Sequence, residues 1–304
     1  MSILSNPRFH DEKTAIECVE SIIWPHGVVC PHCGGTDKIY VLKGKTDRMG
    51  SKKCGDCKKK FTVKVGTVFE DSHVDMHIWL QAAYLMATSK KGVSSHQLHR
   101  MLGVTYKTAW FMTHRLREAM RVLKIEPMGG EGKTVEADET YIGNKGKHKP
   151  GARGWSHKEK VFSLVERGGK VSSQHVQSCN AETLRPIMQE QIAAETRLVT
   201  DEARQYIPLG KEFAEHHVVN HSIGEYVRGD IHSNTIENYF SIFKRGMKGV
   251  YQHCSAKHLK RYLAEFDFRY NFREGLEFND TLRTENLLTG IVGKRLTYNQ
   301  PNIQ

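Results

Sequence analysis

Two pairs of cysteines, Cys30-Pro-His-Cys33 and Cys54-Gly-Asp-Cys57, stand 21 residues apart, counted from Cys33 to Cys54. Two short-spaced pairs at such a separation are what a tetrahedral sulfur site for Zn²⁺ requires, each pair supplying one knuckle. Gly34 and Gly55 suit the tight turns that bring backbone close to a metal. A module this small cannot fold on apolar burial alone, so the zinc is expected to be structural. A second set of residues is acidic. Asp138 lies inside the strand-like run Val135-Glu-Ala-Asp-Glu-Thr-Tyr-Ile142, and Asp201 closes Arg197-Leu-Val-Thr-Asp. Both positions display a carboxylate at a sheet edge, although an isolated Asp there also serves as a turn or cap residue. Glu136 shares the Asp138 face of the pleat and Glu139 the opposite one, and both read as supporting groups. Further on, Glu237 precedes Lys244 by seven residues, close to two helical turns, so the two share a face with Asn234, one turn earlier. A solvent-exposed charged helix docked through Ile236, Phe240 and Phe243 has the same pattern.

These residues need elements to position them. Asp11 to Ile23 reads as an amphipathic helix, followed by a turn-rich, strand-like stretch from about Val28 to Phe69 that contains the cysteines. From about Met76 to Leu123 the period becomes helical. Within it, Ser94 or Ser95 caps a helix that breaks at Gly103, and a second begins near Thr105, the pattern of a helix-turn-helix. Leu98, Leu102, Val104, Ala109 and Met112 supply its core. Tyr106, Lys107, Thr108, His114 and Arg115 are expected on or near the exposed side of the second helix, where such motifs reach base edges or phosphates. Glu126 to Lys133 reads as a linker. Strands are then expected near Val135 to Ile142, Val161 to Glu166, Lys170 to Val176 and Arg197 to Thr200, with helices at Ala181 to Ala194 and His232 to Met247. The domains expected are 1–70 (helix and zinc ribbon), 71–128 (helix-turn-helix region), 129–275 (α/β domain) and 276–304 (helical extension and polar tail).

Lys and Arg outnumber Asp and Glu by 45 to 34, a formal charge of +11 before 17 His are counted, which points to a polyanionic partner such as nucleic acid. Lys145, Lys147, Lys149, Arg153, His157, Lys158 and Lys160 crowd a Gly- and Pro-containing loop just after Asp138 and would meet a DNA backbone. Lys257, Lys260, Arg261, Arg269 and Arg273 alternate with aromatic residues as the basic outer face of a core-packing helix. No apolar run approaches the roughly 18 residues that span a bilayer, and no signal pattern is legible at the N-terminus. A cytoplasmic, nucleoid-associated protein is expected, with no membrane partner.

Together the zinc-ribbon cysteines, Gly103-Val-Thr-Tyr-Lys-Thr-Ala-Trp110, Asp138-Glu-Thr-Tyr-Ile-Gly143, and His232-Ser-Asn-Thr-Ile-Glu237 with Lys244-Arg-Gly246 resemble the zinc-ribbon branch of bacterial insertion-sequence DDE transposases. The resemblance covers about residues 10 to 275. It implies an RNase H-like mixed sheet flanked by helices. It also implies that Asp138, Asp201 and Glu237 are the acidic ligands, with 35 residues between the last two, and that Lys244 and Arg245 meet DNA phosphates. Some members of the branch carry Asn as the third residue, and Asn234 holds that place here; a carboxylate suits Mg²⁺ better and keeps register with Lys244. The chemistry implied is metal-dependent cleavage of element ends and strand transfer by Mg²⁺ or Mn²⁺ on double-stranded DNA, within a homodimer or higher assembly holding two ends. Two rivals share these features: a transcription regulator with an inactive C-terminal domain, and a structure-specific nuclease that cuts without joining.

Overall fold

A computed structural model describes residues 3–122, 126–143 and 158–297, and its chain divides into two units. The first comprises the chain up to Arg121 and again from Phe278. Asp11 accepts the Thr14 amide (2.7 Å) and so caps α1 (Glu12–Ile23), which buries Ala15, Ile16 and Val19. The ribbon follows as three short antiparallel strands, β1 (Ile39–Val41), β2 (Lys52–Cys54) and β3 (Lys60–Phe61). Cys30, Cys54 and Phe61 are buried together, with Trp24, Val28 and Ile39 against them. α2 (Met76–Thr88) has no cap from its own Asp75; the Glu12 carboxylate instead accepts the Met76 and His77 amides at 2.8 and 3.0 Å.

The helix pair is α3 (Ser95–Leu102) and α4 (Tyr106–Met120). Ser94 and Thr105 accept the amides of Gln97 and Thr108, and Gly103 takes the left-handed φ of +66° that ends α3. Leu98, Ala109 and Met112 form the buried seam.

The second unit, Val122–Glu277, holds a five-stranded sheet. β4 (Thr134–Ile142), β5 (Glu159–Glu166) and β6 (Val171–Val176) form an antiparallel meander. The chain then crosses through α5 (Ala181–Gln191) to β7 (Arg197–Asp201), passes α6 (Tyr206–Gly210) and adds β8 (Glu215–Val219); β7 lies parallel to β4, and β8 parallel to β7. The spatial order is β6-β5-β4-β7-β8. A two-residue hairpin, β9 (Val227–Arg228) and β10 (Ile231–His232), leads into α7 (Asn234–Gly246), which runs on as a π-helical turn over Met247–Tyr251 before α8 (Ala256–Asn271). Both sheet faces are covered. Val161, Val165 and Val171 pack under Ile236, Phe243, Leu263 and Phe266 of α7 and α8, while Val135, Ala137 and Phe162 pack against Leu184, Met188, Tyr206 and Leu209. This is the RNase H-like mixed sheet that the resemblance implied.

After Glu277 the chain returns to the first unit. Within residues 276–304, expected to be a helical extension and polar tail, α9 (Asp280–Thr289) is the helix; it packs on α2, burying Thr284, Leu287 and Leu288, and Lys294 donates to the Ala119 and Arg121 carbonyls at the end of α4. The aromatic residues of α8 are core, as expected. Its basic residues are not all outside: Arg261 and Arg269 are buried, the latter bonded to Glu265 at 2.5 Å.

Candidate active site

The sheet registers put Asp138 and Asp201 side by side. Glu136 pairs with Val199 in the parallel ladder, and two residues further along each strand bring Asp138 level with Asp201. β7 ends there, so the two carboxylates stand where the central pair of strands opens, the usual ligand crevice of α/β sheets. Asp138 accepts the amide of Glu139 (2.7 Å), and Asp201 that of Ala203 (3.0 Å). Burial, and then the like charges of Asp201, Glu139 and Glu237, push the Asp138 carboxyl well above its usual range. Burial also raises Asp201, against the pull of the Ala203 amide.

Glu237 arrives on the first turn of α7 with its side chain half exposed. Ser233 donates to its Oε1 (2.8 Å), and His221 Nε2 lies 3.6 Å away. Asp138, Glu237, Lys244 and Arg245 line one pocket; Asn234, exposed at the start of α7, is not among its lining residues. Burial lowers the Lys244 ammonium, Asp138 opposes that, and Lys248 and Lys158 reinforce it.

Glu136 turns out to hold this arrangement. It is fully buried, its Oε2 accepts the Ile236 amide of α7 (2.9 Å), and its Oε1 accepts Arg167 Nε (2.6 Å). Arg167 also donates to the Asp230 and His232 carbonyls, and Arg197 pairs with the Asp230 carboxylate, so the hairpin before α7 is fixed from both sides. A strand residue two positions before Asp138 thus anchors the helix residue next to Glu237. Glu136→Ala is expected to remove roughly 3 kcal/mol of stability, because Arg167 and the Ile236 amide lose their partner in a buried place; denaturant unfolding measures it. Glu139 faces the other way, as the pleat predicts: Tyr206 (2.5 Å) and Gln205 (2.9 Å) donate to it.

In the first unit the four sulfurs converge. Cys30 and Cys57 Sγ lie 3.7 Å apart and Cys33 and Cys54 Sγ 3.6 Å apart, and all four fall within 4.8 Å of one another. Zn–S bonds of about 2.3 Å set tetrahedral S–S edges of about 3.8 Å, so this cluster could bind zinc. Among the described residues it is the one group of three or more His, Cys, Asp or Glu donors drawn so close; the three carboxylates are not. Burial works against the Cys30 thiolate, but the amides of His32 and Cys33 and the thiols of Cys33 and Cys57 together outweigh it and bring the thiol down to about 7.

The helix pair presents its expected contact residues unevenly. Tyr106 and Lys107 are exposed at the start of α4 and Thr108 is partly so. Arg115 is a correction: it is buried, donates to the Glu70 carbonyl (2.8 Å) and stacks on Phe111 (4.5 Å), and His114 beside it is also buried. The α4 face they occupy is covered by segments distant in sequence, which helical periodicity cannot register. Lys158 is partly buried, while Lys147 and Arg153 lie outside the described residues. No sequence pattern marks His221 or Ser233 as site residues, whereas Lys248, four residues after Lys244, carries a spacing signal.

Comparison with known proteins agrees with this geometry. Residues 129–271 match the family described as ISXO2-like transposase domain, and residues 10–60 match the transposase zinc-ribbon domain. The chain is 31% identical over 286 residues to a protein of Halobacterium salinarum described as an uncharacterized protein in transposable element ISH50, covering 86% of this chain and 91% of that one. Among solved structures, the cryoEM structure of the simian T-cell lymphotropic virus intasome in complex with PP2A regulatory subunit B56 gamma aligns over 60% of this chain and 66% of that chain. Its identity is 13% and its TM-score 0.29, too slight a likeness to carry an argument. Among the described residues no helix is long and apolar enough to cross a membrane.

Proposed function

Because the chain belongs to the ISXO2-like transposase family with its zinc-ribbon domain, we propose that it cuts DNA at the ends of an insertion-sequence element and joins the freed 3′ ends to target DNA at Asp138, Asp201 and Glu237. The observation that carries this reading is the pair of carboxylates level on adjacent parallel strands, with Glu237 and Lys244 lining the pocket of Asp138. The transposase role and DNA as its substrate follow from the family; the residue roles are our reading.

The donor set suits a hard divalent cation, since carboxylates that repel one another are relieved by Mg²⁺ or Mn²⁺. When bound, the cation supplies charge stabilisation to an in-line displacement at phosphorus. Asp138 and Asp201 would hold it from the rigid sheet. Glu237, half exposed and held by Ser233 beside His221, would turn toward them as the third ligand. Lys244 and Arg245, on the same helix, would hold the backbone of the reacting strand. Zn²⁺ on Cys30, Cys33, Cys54 and Cys57 would be structural, and Tyr106, Lys107 and Thr108 would read the element ends, with two or more copies needed to hold two ends.

The test is strand transfer in vitro on DNA carrying the native ends with Mg²⁺ or Mn²⁺. Joined products are expected from the wild type. Cutting without joining would replace the reading with a nuclease, and binding alone with a regulator. Glu237→Gln is expected to lose roughly 10²-fold in rate, about 2.7 kcal/mol, while Asn234→Ala stays within a few fold. The reverse ranking would make Asn234 the third residue.

A further inference from the structure

Beside the acid pocket lies a second one at the C-terminal end of β4, lined by Lys158, Lys244, Lys248 and His253 along with residues 139–143, among which Glu139 is the one acidic residue. The two pockets share Glu139, Thr140, Lys244 and Lys248. Lys248 reaches both because the chain does not leave α7 at Gly246: the π-helical turn Met247–Tyr251 carries it on, until Gln252 stops it with a φ of +57°. π turns of this kind recur at functional sites. Lys244 is partly buried there, and the nearby charges of Lys248 and Lys158 act against its ammonium, with Asp138 the opposing charge. A hollow that keeps three ammonium groups near one another gains free energy from an anion, and a phosphodiester matches its charge.

We propose that Lys248, with Lys158 and Lys244, forms a phosphate subsite for the DNA backbone, taking the phosphate next to the one that meets the acid pocket. The inference rests on the transposase reading above and adds to it a defined strand path and a residue, Lys248, dedicated to that path. A strand crossing the shared wall would place successive phosphates in the acidic and the basic pocket, so the basic one fixes where along the strand cutting occurs.

Methylphosphonate scanning tests this. Element-end duplexes carry one neutral linkage at a time around the cut, and both affinity and cutting rate are measured for the wild type, Lys248→Gln and Lys248→Arg. At one linkage near the cut the wild type is expected to lose about tenfold, the worth of one charged hydrogen bond. Lys248→Gln should show that loss on native DNA and none further at the same linkage, with a salt dependence shallower by about one charge. Lys248→Arg should retain the wild-type pattern. Losses that add at every linkage, or a Lys248→Gln protein indistinguishable from wild type on native DNA, would overturn the subsite. Wild-type binding without cutting would overturn only the transposase reading, since affinity alone still judges the subsite; no binding at all would overturn both.

Discussion

Asp138→Asn is expected to abolish cutting and joining, by on the order of 10³-fold or more, while the protein still binds element ends. A catalytic cation contributes several kcal/mol of charge stabilisation, and each 1.36 kcal/mol is about tenfold in rate. Asp201→Ala should behave alike. The same variant has an opposite effect on stability, which separates it from a merely damaged protein. Asp138 and Asp201 have folded-state pKa values raised above their ordinary ones, by burial and, for Asp138, the neighbouring acids. Between the ordinary and the raised value the folded state binds more protons than the unfolded state, so without metal stability falls as pH rises through that window and stays low above it. Asp138→Asn removes one of these charges and should raise the metal-free melting temperature at neutral pH. Mg²⁺ or Mn²⁺ at 100 times its Kd should stabilise the wild type by about 2.7 kcal/mol and the variant far less. A variant that melts lower without metal, or wild type indifferent to the cation, would show that these carboxylates are not a metal site.

Cys54→Ser is expected to release zinc and unfold the ribbon, leaving the second unit intact. The sulfur cluster is the centre of a core that otherwise offers little more than Phe61, Trp24, Val28 and Ile39, and structural zinc sites contribute roughly 10–16 kcal/mol of apparent binding free energy. Metal content by elemental analysis should fall from about one zinc per chain, and limited proteolysis should open residues 28–65 while the sheet of the second unit stays protected. Binding to element ends should weaken by at least tenfold if the ribbon takes part in recognition. Full zinc content in the variant would remove Cys54 from the site.

Some of this was legible because it is written in local spacing. The cysteine pairs, the Ser94 and Thr105 caps around Gly103, and the alternation from Val135 to Ile142 each depend on neighbours within a few residues, and each appears in the structure at the expected place. β8 was not foreseen: Glu215-His-His-Val-Val219 has no alternating pattern, and it becomes a strand because β7 offers it an edge. Arg115 differs from expectation for the same kind of reason, since a basic residue in the second half of a helix reads as exposed until the chain near Glu70 covers it.

By itself, then, the sequence determined the chemistry available to this protein: four thiols with zinc spacing, one acid inside a strand and another closing a second strand, and a helix bearing Glu237 and Lys244 on one face. These follow from covalent order and the fixed periods of helix and strand. Only the tertiary structure decided which of those groups meet. The parallel β4–β7 register brings Asp138 level with Asp201 across more than sixty residues, and Glu136 ties α7 to β4 through a buried carboxylate. Long-range pairing is selected by burial summed over the whole sheet and its covering helices, a quantity that no local window of residues contains.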